Sequence, residues 1–559
     1  YFIPETYLDF ILFDEYTRVK SKLAVKANYC DEKIRPLVLS GTDMKLISVA
    51  IDGDTLDSAN YTVSGTELTI NPSVKDFTLE IETEIEPQNN KALEGLYQSG
   101  DIFCTQNEPE GFRKITYFLD RSDVMSVYTT RIEADKKRFP ILLSNGNKTD
   151  SGDLDNDRHF TVWNDPFKKP SYLFALVAGD LALISDSFTT VSGREIALEI
   201  YVDHGNEDRA PYSLESLKKA MKWDEEVFGL EYDLDIYMIV AVDAFNMGAM
   251  ENKGLNIFNS SCALANPKTA TDANFESIEA IIGHEYFHNW TGNRITCRDW
   301  FQLTLKEGLT VFRDQEFSSD LNSRPVKRIE EVSFLRNSQF TEDSGPTAHA
   351  IKPSSYIEIN NFYTPTVYRK GAEVIRMIHT LIGKETFRKG MDKYFELYDG
   401  QAVTTEDFVN AMEIASGRDL TQFKNWYSQA GTPRLDVSSS YDAETQQYTL
   451  TVVQSCPATA ESKDKKPFHM PFVIGLLDAK GNDMDLSING KEVGQSATLE
   501  LTEKQHSFTF DNISEQPVPS LLRNFCAPVI LNYDYSSAEL AFLLAHDSDD
   551  FNRYDAGQR

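Results

Sequence analysis

The stretch His284-Glu285-Tyr286-Phe287-His288 decides how the rest of the chain is interpreted. Residues four positions apart lie on the same face of an α-helix, so His284 and His288 can present their imidazoles to a single ion. Zinc suits such a pair, because it takes nitrogen and oxygen ligands and keeps one position open for water in catalytic sites. Glu285 lies between the histidines and can act as a general base on that water. The pattern therefore predicts a zinc site with a carboxylate that activates water.

A third ligand is predicted on a second helix. Glu307 follows His288 after 18 intervening residues, which is enough chain for the first helix to end near residues 291–293 and for another helix to begin. Three apolar residues before the motif predict that the first helix is buried and that its histidines face inward: Ile278, Ile281 and Ile282. The alternative is a pair of surface histidines on an ordinary helix.

Length, composition and charge bound the class of protein. A chain of 559 residues is too long for one core, which predicts three or four domains, and its 41% hydrophobic and 25% charged residues are typical of a soluble globular protein. No apolar run approaches the roughly 18 to 20 residues of a membrane span, so no membrane association is predicted. The net charge of −32 argues against nucleic acid and anionic lipid as partners. This negative charge either keeps the protein soluble or attracts cationic substrates.

The cysteine pattern predicts the cellular compartment, and the first residue predicts that the sequence lacks its N-terminal end. The six cysteines are scattered and contain no CxxC pair, which favours reduced thiols and a cytoplasmic location. The chain begins at Tyr1 and not at a methionine, so some N-terminal residues are expected to be missing.

Changes in residue patterning divide the chain into four predicted regions. Residues 1–180 show short alternating apolar runs separated by turn pairs, which predicts a β-sandwich or saddle-like β domain. Residues 181–431 combine helical periodicity with a few buried strands, which predicts an α-rich catalytic domain of thermolysin-like arrangement. Residues 432–533 predict a small β-sandwich, and residues 534–559 predict the start of a truncated helical C-terminal domain. The predicted fold class is therefore multidomain α+β.

Four single elements are also predicted within these regions. They are a long alternating strand over residues 77–85, helices over residues 367–382 and 384–398, and an amphipathic helix that begins at about Ser536.

Three segments between the regular elements are distinctive. Residues 104–113 are polar and turn-rich, and the acidic residues 150–157 have the composition of an exposed loop, so both are predicted as loops. Residues 245–254 join two buried strands, and their glycines and small side chains let a backbone or a ligand approach closely.

The motifs taken together resemble one family. Met247-Gly248-Ala249-Met250-Glu251-Asn252, then the histidine motif with Asn289-Trp290-Thr291-Gly292-Asn293, and then Glu307 are similar to the zinc aminopeptidases of the aminopeptidase N type, which are gluzincins, and most similar to the bacterial members. The likeness covers essentially the whole chain, including residues 96–100 and 371–377. Family members continue into a large helical C-terminal domain, whereas this chain ends near its start, which predicts a fragment.

The resemblance implies a zinc metallo-aminopeptidase that releases N-terminal amino acids from peptides. It implies one zinc ion per chain, held by His284, His288 and Glu307, and a water on that ion which Glu285 activates for attack on the first peptide bond. Tyr368 would stabilise the oxyanion as the second catalytic residue. Peptides with a free N-terminus are the implied partners, and a monomer is expected.

The resemblance also implies the residues that bind substrate. Glu108 and Glu251 would hold the free α-ammonium group, and the backbone at Gly248 and Ala249 can pair with the substrate like an added strand. The remaining substrate-binding residues are Met250 and Asn252 of the same segment, with Met247, Gln106 and Tyr363 lining the pocket for the first side chain. Without the resemblance, Glu108 is a surface acid, Met247 fills the core and Tyr368 is an ordinary buried aromatic.

One further residue and three rival functions stay open. Asp314 lies two helical turns after Glu307 and can orient a ligand histidine, or it is simply a surface acid. A thermolysin-like zinc endopeptidase shares the two histidines, the glutamate ligand and the base. An inactive homologue acting as a binding scaffold would have no need of Glu285. Lipid-epoxide hydrolysis is known in relatives of this fold, and no residue here favours it.

Overall fold

Alternating apolar residues in the first part of the chain form three sheets in the computed structural model, which describes residues 1–559. Phe77–Ile85 shows the cause, because every second side chain of this strand is buried. The eight-stranded sheet has the spatial order Asn147–Leu154, Arg158–Lys169, Ser126–Asp135, Phe2–Leu12, Thr17–Lys26, Phe77–Ile85, Lys45–Ile51 and Asp54–Thr55. The four-stranded sheet has the order Ile141–Ser144, Leu176–Gly179, Ile102–Gln106 and Gly95–Ser99. The three-stranded sheet has the order Leu37–Ser40, Glu67–Ile70 and Tyr61–Ser64.

The acidic segment predicted as a loop over residues 150–157 is largely a strand, so that prediction is wrong. Asn147–Leu154 pairs antiparallel with Arg158–Lys169 at the edge of the large sheet. Most of its side chains are exposed on both faces. Alternation of apolar and polar residues, the usual signal for a strand, is absent because neither face is buried.

A five-stranded sheet follows and carries the segment that precedes the histidine motif. Its spatial order is Ala182–Thr189, Glu195–Val202, Ile236–Val242, Leu255–Asn259 and Ala249–Met250. Ala249–Met250 pairs antiparallel with Leu255–Asn259 and lies at the edge of this sheet. Helices α1 (Pro211–Phe228) and α2 (Asp272–Phe287) pack against each other. A short parallel pair, Thr296–Cys297 with Ala402–Val403, comes after them.

The second half of the chain is helical and then returns to β structure. The helices are α3 (Leu303–Leu321), α4 (Arg324–Phe334), α5 (Phe340–Ser344), α6 (Gly371–Ile382), α7 (Lys384–Tyr398), α8 (Thr405–Ser416), α9 (Asn425–Ser428), α10 (Ser537–His546) and α11 (Asp550–Gln558). Two π-helical turns, Leu335–Gln339 and Thr366–Lys370, precede α5 and α6. The predicted helix start after Ser536 is confirmed, because Ser536 and Glu539 form a capping box.

Two further sheets lie between α9 and α10. The six-stranded sheet has the order Lys491–Gly494, Leu486–Ile488, Gln505–Asp511, Gln447–Ser455, Arg434–Asp442 and Ile530–Asn532. The three-stranded sheet has the order Ala497–Leu501, Met470–Leu477 and Val518–Leu521. The predicted multidomain α+β fold class is thus confirmed, while the predicted domain limits stay predictions.

By its internal contacts the chain divides into two units. The first unit comprises residues 1–300 and 398–403, and the second comprises residues 301–397 and 404–559. None of the helices combines the length and the hydropathy needed to cross a bilayer.

Candidate metal centre and its surroundings

Helix α2 delivers both histidines of the motif. It begins at a capping box, in which Asn274 N–H donates to Thr271 Oγ1 and Thr271 N–H donates to Asn274 Oδ1. Ile278 and Ile282 are buried, as the apolar run predicted, whereas Ile281 is half-buried. The helix ends at Phe287, earlier than the predicted end near residues 291–293. His288 caps it with helical backbone angles and still bonds to the carbonyl of His284, so the two rings stay on one face.

The two imidazoles point at each other. His284 Nε2 and His288 Nε2 lie 3.0 Å apart. His288 Nδ1 lies 2.9 Å from the carbonyl oxygen of Thr291, a group that can only accept a hydrogen bond. Nδ1 is therefore the nitrogen that carries the proton in a neutral His288 ring, and Nε2 is the nitrogen that can bind a metal.

A zinc ion fits this arrangement of donors. Two imidazole nitrogens are directed at one point, and one of the rings is held in its ligand tautomer by a backbone carbonyl. Glu251 and Glu285 each place a carboxylate oxygen within 4.8 Å of a His288 nitrogen and of each other. Both carboxylates are buried. Buried nitrogen and oxygen donors at this spacing are the chemistry that Zn²⁺ selects.

The segment with Glu251 is tied to the turn after α2. Asn293 Nδ2 donates a 2.8 Å hydrogen bond to the carbonyl oxygen of Glu251. On its other side, the carbonyl oxygen of Gly248 accepts a 2.9 Å bond from Asn259 N–H. Met247 is half-buried and Gly248 is exposed, whereas Met250 and Asn252 are buried. Gly248, directly before the edge strand Ala249–Met250, is therefore exposed and Ala249 is half-buried, while the buried Glu251 lies beside His288.

Glu108 comes to the same place from the N-terminal β region. It follows the strand Ile102–Gln106, so the loop predicted over residues 104–113 is wrong for residues 104–106. The Gln106 side-chain amide donates to the Glu108 carbonyl at 3.2 Å. The same amide lies 3.7 Å from the sulfur of Met250. Carboxylate oxygens of Glu108 and Glu251 lie within 4.8 Å of each other, and both side chains are at least 95% buried, with exposures of 5% and 3%. Two buried like charges this close favour a cation between them.

The buried ammonium group of Lys253, which lies next to the Glu251 segment, was not predicted from the sequence. Lys253 Nζ donates to Asn289 Oδ1 at 2.7 Å and to Asp233, which also accepts from Arg294 at 2.8 Å. Burial would raise the pKa of Asp233, but Lys253 and Arg294 outweigh it and lower that pKa. The network links the Glu251 segment to the turn after α2. A lysine between Asn252 and Gly254, directly before a buried strand, is the only signal that the sequence offered.

Glu307 and Tyr368 lie in the second unit on neighbouring helical segments. Glu307 is buried in α3, and Lys306 Nζ donates to its carboxylate at 2.5 Å. Tyr368 lies in the π-helical turn Thr366–Lys370, with its ring centroid 6.3 Å from that of Tyr363. Thr304 of α3 donates to the Val367 carbonyl at 2.7 Å. This contact fixes the turn that carries Tyr368 on the helix that carries Glu307.

Asp314 is buried in α3, on the helix that also carries Glu307. Burial would lower the pKa of Lys327, but nearby carboxylates, Glu331 first and Asp314 among the rest, raise it. Asp314 is therefore not the surface acid of the alternative interpretation. Its role in orienting a ligand histidine stays a prediction.

Comparison with known families accounts for nearly the whole length of the chain. Residues 212–427 match the model of the Peptidase family M1 domain, and residues 3–173 match the Peptidase M1 N-terminal domain. The chain belongs to peptidase family M1. Residues 431–534 match a domain of unknown function (DUF3458) with an Ig-like fold, which corresponds to the β-rich part of the second unit.

Individual M1 relatives are similar along almost all of the chain. It is 59% identical over 523 residues to Aminopeptidase N of Escherichia coli (strain K12), an alignment that covers 94% of this chain and 60% of that protein. It is 55% identical to Aminopeptidase N of Haemophilus influenzae, covering 100% of this chain and 64% of that protein. The crystal structure of Legionella pneumophila aminopeptidase A in complex with aspartic acid superposes with a TM-score of 0.90 at 34% identity, covering 99% of this chain and 62% of that one. The chain thus spans about three fifths of the length of these M1 relatives.

Proposed function

We propose that the protein is a zinc aminopeptidase that removes single residues from the free N-terminus of peptides. The observation that carries the proposal is the pair of buried carboxylates, Glu108 and Glu251, within 4.8 Å of each other and next to the histidine motif. A buried pair of negative charges beside a hydrolytic centre suits a substrate ammonium group. Membership in family M1 and the aminopeptidase names of the relatives support the same activity.

Three residues would hold the metal. His284 and His288 supply ring nitrogens, and Glu307, the next buried carboxylate on the following helix, supplies the third ligand. When bound, zinc would act as a Lewis acid and lower the pKa of a coordinated water to about 7.

Glu285 would move the proton during hydrolysis. Its carboxylate takes a proton from the attacking water as the water oxygen bonds to the first peptide carbonyl carbon. It then returns this proton to the amide nitrogen as the C–N bond breaks. The products are a free amino acid and a peptide shortened by one residue. Glu285 is buried, and its carboxylate lies within 4.8 Å of a ring nitrogen of His288, next to the histidines that would hold the metal.

Glu108 and Glu251 would measure the substrate from its N-terminus. At about 4 Å and an effective dielectric constant near 20, each contact with an ammonium group contributes about 4 kcal/mol of Coulomb energy before desolvation. A blocked or internal residue carries no such charge and therefore lacks this attraction to the two buried carboxylates. The edge strand would pair with the substrate backbone through Gly248 and Ala249, with Met250 and Asn252 supporting it. Met247, Gln106 and Tyr363 would line the pocket for the first side chain.

Tyr368 would donate its hydroxyl to the oxyanion that forms on the peptide carbonyl. Removing one such donor typically costs about 2.7–4 kcal/mol of activation free energy. Tyr368→Phe is therefore expected to lower kcat by about 100-fold to 1,000-fold while the protein keeps its zinc. Near-normal turnover in this variant would exclude Tyr368 from the reaction.

Metal content and turnover test the proposal together. The purified protein is expected to contain one zinc ion per chain, to hydrolyse chromogenic amino-acid amides, and to lose this activity to a chelator and regain it with zinc. Glu285→Gln is expected to keep the zinc and to lose turnover, because an amide cannot take the proton. A protein with zinc but without turnover would instead be a binding scaffold.

A further inference from the structure

Tyr368 lies in an unusual backbone element. The turn Thr366–Lys370 is π-helical, and regular α-helix resumes at Gly371. A π-helical turn holds one more residue than an α-helical turn, so it rotates the side chains before it by about 100° relative to a continuous α-helix. Such turns are rare, and other interactions must stabilise them. The direction of the Tyr368 side chain therefore depends on whatever keeps this turn from relaxing into the helix that follows.

Two consecutive acidic residues of α5 hold the two ends of the turn. At the first end, Glu342 Oε2 accepts hydrogen bonds from Thr366 N–H at 3.0 Å and from Thr366 Oγ1 at 2.5 Å. At the other end, Lys370 Nζ donates to Asp343 Oδ2 at 2.7 Å, and both of these side chains are buried. Asp343 is fixed in turn by Gly431 N–H and by the Thr432 hydroxyl.

Glu342 differs from the other anchors in what it binds. It accepts from the backbone N–H of the residue that opens the turn, and such an N–H has no partner within its own helix. The carboxylate also lies 4.0 Å from His349 Nε2, which contacts the Thr364 hydroxyl at 3.0 Å just before the turn. The side chain of Arg369 is held separately by Glu331 at 2.6 Å. Glu342 is thus the group on which the start of the turn depends.

We infer that Glu342 is a positioning residue for Tyr368: its carboxylate binds the N-terminal end of the π-helical turn and so fixes the direction in which the tyrosine hydroxyl points. The inference rests on the proposed function, because it assigns Tyr368 the oxyanion contact. Without the carboxylate, the N–H and hydroxyl of Thr366 lose their acceptor and the turn can relax toward α-helix. The hydroxyl would then leave the reacting carbonyl, while substrate binding and the zinc ligands stay unchanged.

The test compares Glu342→Ala and Glu342→Gln in the parent protein and in the Tyr368→Phe variant. Glu342→Ala is expected to lower kcat by about tenfold or more with little change in KM or zinc content, since a small displacement of a reacting group is costly. Glu342→Gln keeps an acceptor oxygen and is expected to recover most of the turnover. In the Tyr368→Phe background, Glu342→Ala is expected to change kcat by less than about twofold, because the hydroxyl that it positions is already gone.

Two control variants separate a loss of the positioning role of Glu342 from a general loss of folding or activity. Glu492→Ala removes an exposed acid on a strand of the six-stranded sheet and is expected to leave kcat unchanged. Thr366→Val removes the hydroxyl that donates to Glu342 and accepts from Gln339 Nε2, keeps the Thr366 backbone N–H, and is expected to lower kcat even if Glu342→Ala does not fold. Three results would overturn the role of Glu342. These are an equal loss of kcat when Glu342→Ala is made in the Tyr368→Phe background, a rise in KM with kcat retained, and full activity of Thr366→Val. An inactive parent protein would instead overturn the proposed function.

Discussion

Gly292 lies directly against the ring of His288. A Cβ atom at this glycine would stand 2.7 Å from His288 Nδ1, and the glycine has a φ of +153°, a value that side chains disfavour. His288 Nδ1 needs this space because it bonds to the Thr291 carbonyl, the contact that fixes the tautomer of the ring. The glycine after the histidine motif thus shapes a predicted metal ligand and does more than end a helix.

Gly292→Ala is therefore expected to weaken zinc binding. The methyl group would push the His288 ring from its carbonyl partner, and loss of such a supporting contact typically costs about 10-fold to 100-fold in metal affinity. Zinc content after dialysis against a graded series of chelator concentrations measures the effect. Gly205→Ala is the matched control, because Gly205 also has a positive φ (+93°) but has open space around its missing Cβ. Equal zinc retention in the two variants would contradict the account.

A second glycine, Gly371, opens α6 directly after the π-helical turn that carries Tyr368. It packs against α3, the helix that carries Glu307. A Cβ atom at Gly371 would meet Thr304 Oγ1 at 2.2 Å and Gly308 Cα at 3.2 Å. Gly371→Ala is expected to displace Thr304 from the Val367 carbonyl, to lower kcat, and to reduce the free energy of unfolding by about 1–3 kcal/mol through overpacking. Thermal denaturation and steady-state kinetics measure both effects. Gly345→Ala, whose nearest neighbours lie at 3.5 Å, is expected to change neither.

A half-buried carboxylate in α3, that of Glu316, makes stability depend on pH. Burial would raise the pKa of Glu316, but Arg376 at 2.7 Å and Arg324 at 2.8 Å outweigh it and lower that pKa from 4.5 to about 2. The ionised form is therefore favoured in the folded state. Its contribution of about 3 kcal/mol is fully present above pH 4.5 and is lost as the pH falls toward 2.

Glu316→Gln tests this dependence. The variant is expected to be less stable than the parent at neutral pH, and the difference in free energy of unfolding is expected to shrink between pH 4.5 and pH 2. Urea denaturation at several pH values gives the two curves. Glu396→Gln, at an exposed ion pair, is expected to show little difference at any pH. A constant gap between Glu316→Gln and the parent down to the lowest pH would contradict the prediction.

The sequence predicted what depends on periodicity and on fixed spacing. The strand Phe77–Ile85 and the helix Lys384–Tyr398 have the predicted limits, because each buries residues at its own regular interval. The histidine motif predicted converging imidazoles because four residues make about one helical turn. The polar edge strand Asn147–Leu154 was missed because it buries neither face, and so it carries no periodic signal.

What depends on tertiary contacts could not be predicted. Residues 367–382 were expected to form one continuous helix, and only packing against Glu342, Asp343 and Thr304 explains why its first part is a π-helical turn. The burial of Lys253 depends on Asp233 and Asn289, which are distant in sequence. Glu108 was assigned through the family resemblance alone, and the structure brings it beside Glu251 through the fold of the N-terminal sheets.

The rate of cleavage of free against N-acetylated peptides tests the central claim most directly. Matched chromogenic amides of one amino acid, with and without an N-acetyl group, differ only in the ammonium charge that Glu108 and Glu251 would bind. The account predicts a kcat/KM at least about 100-fold higher for the free amine, equivalent to at least about 2.7 kcal/mol, and a much smaller ratio in Glu251→Gln. Equal cleavage of the two substrates by the parent protein would contradict it and indicate an endopeptidase.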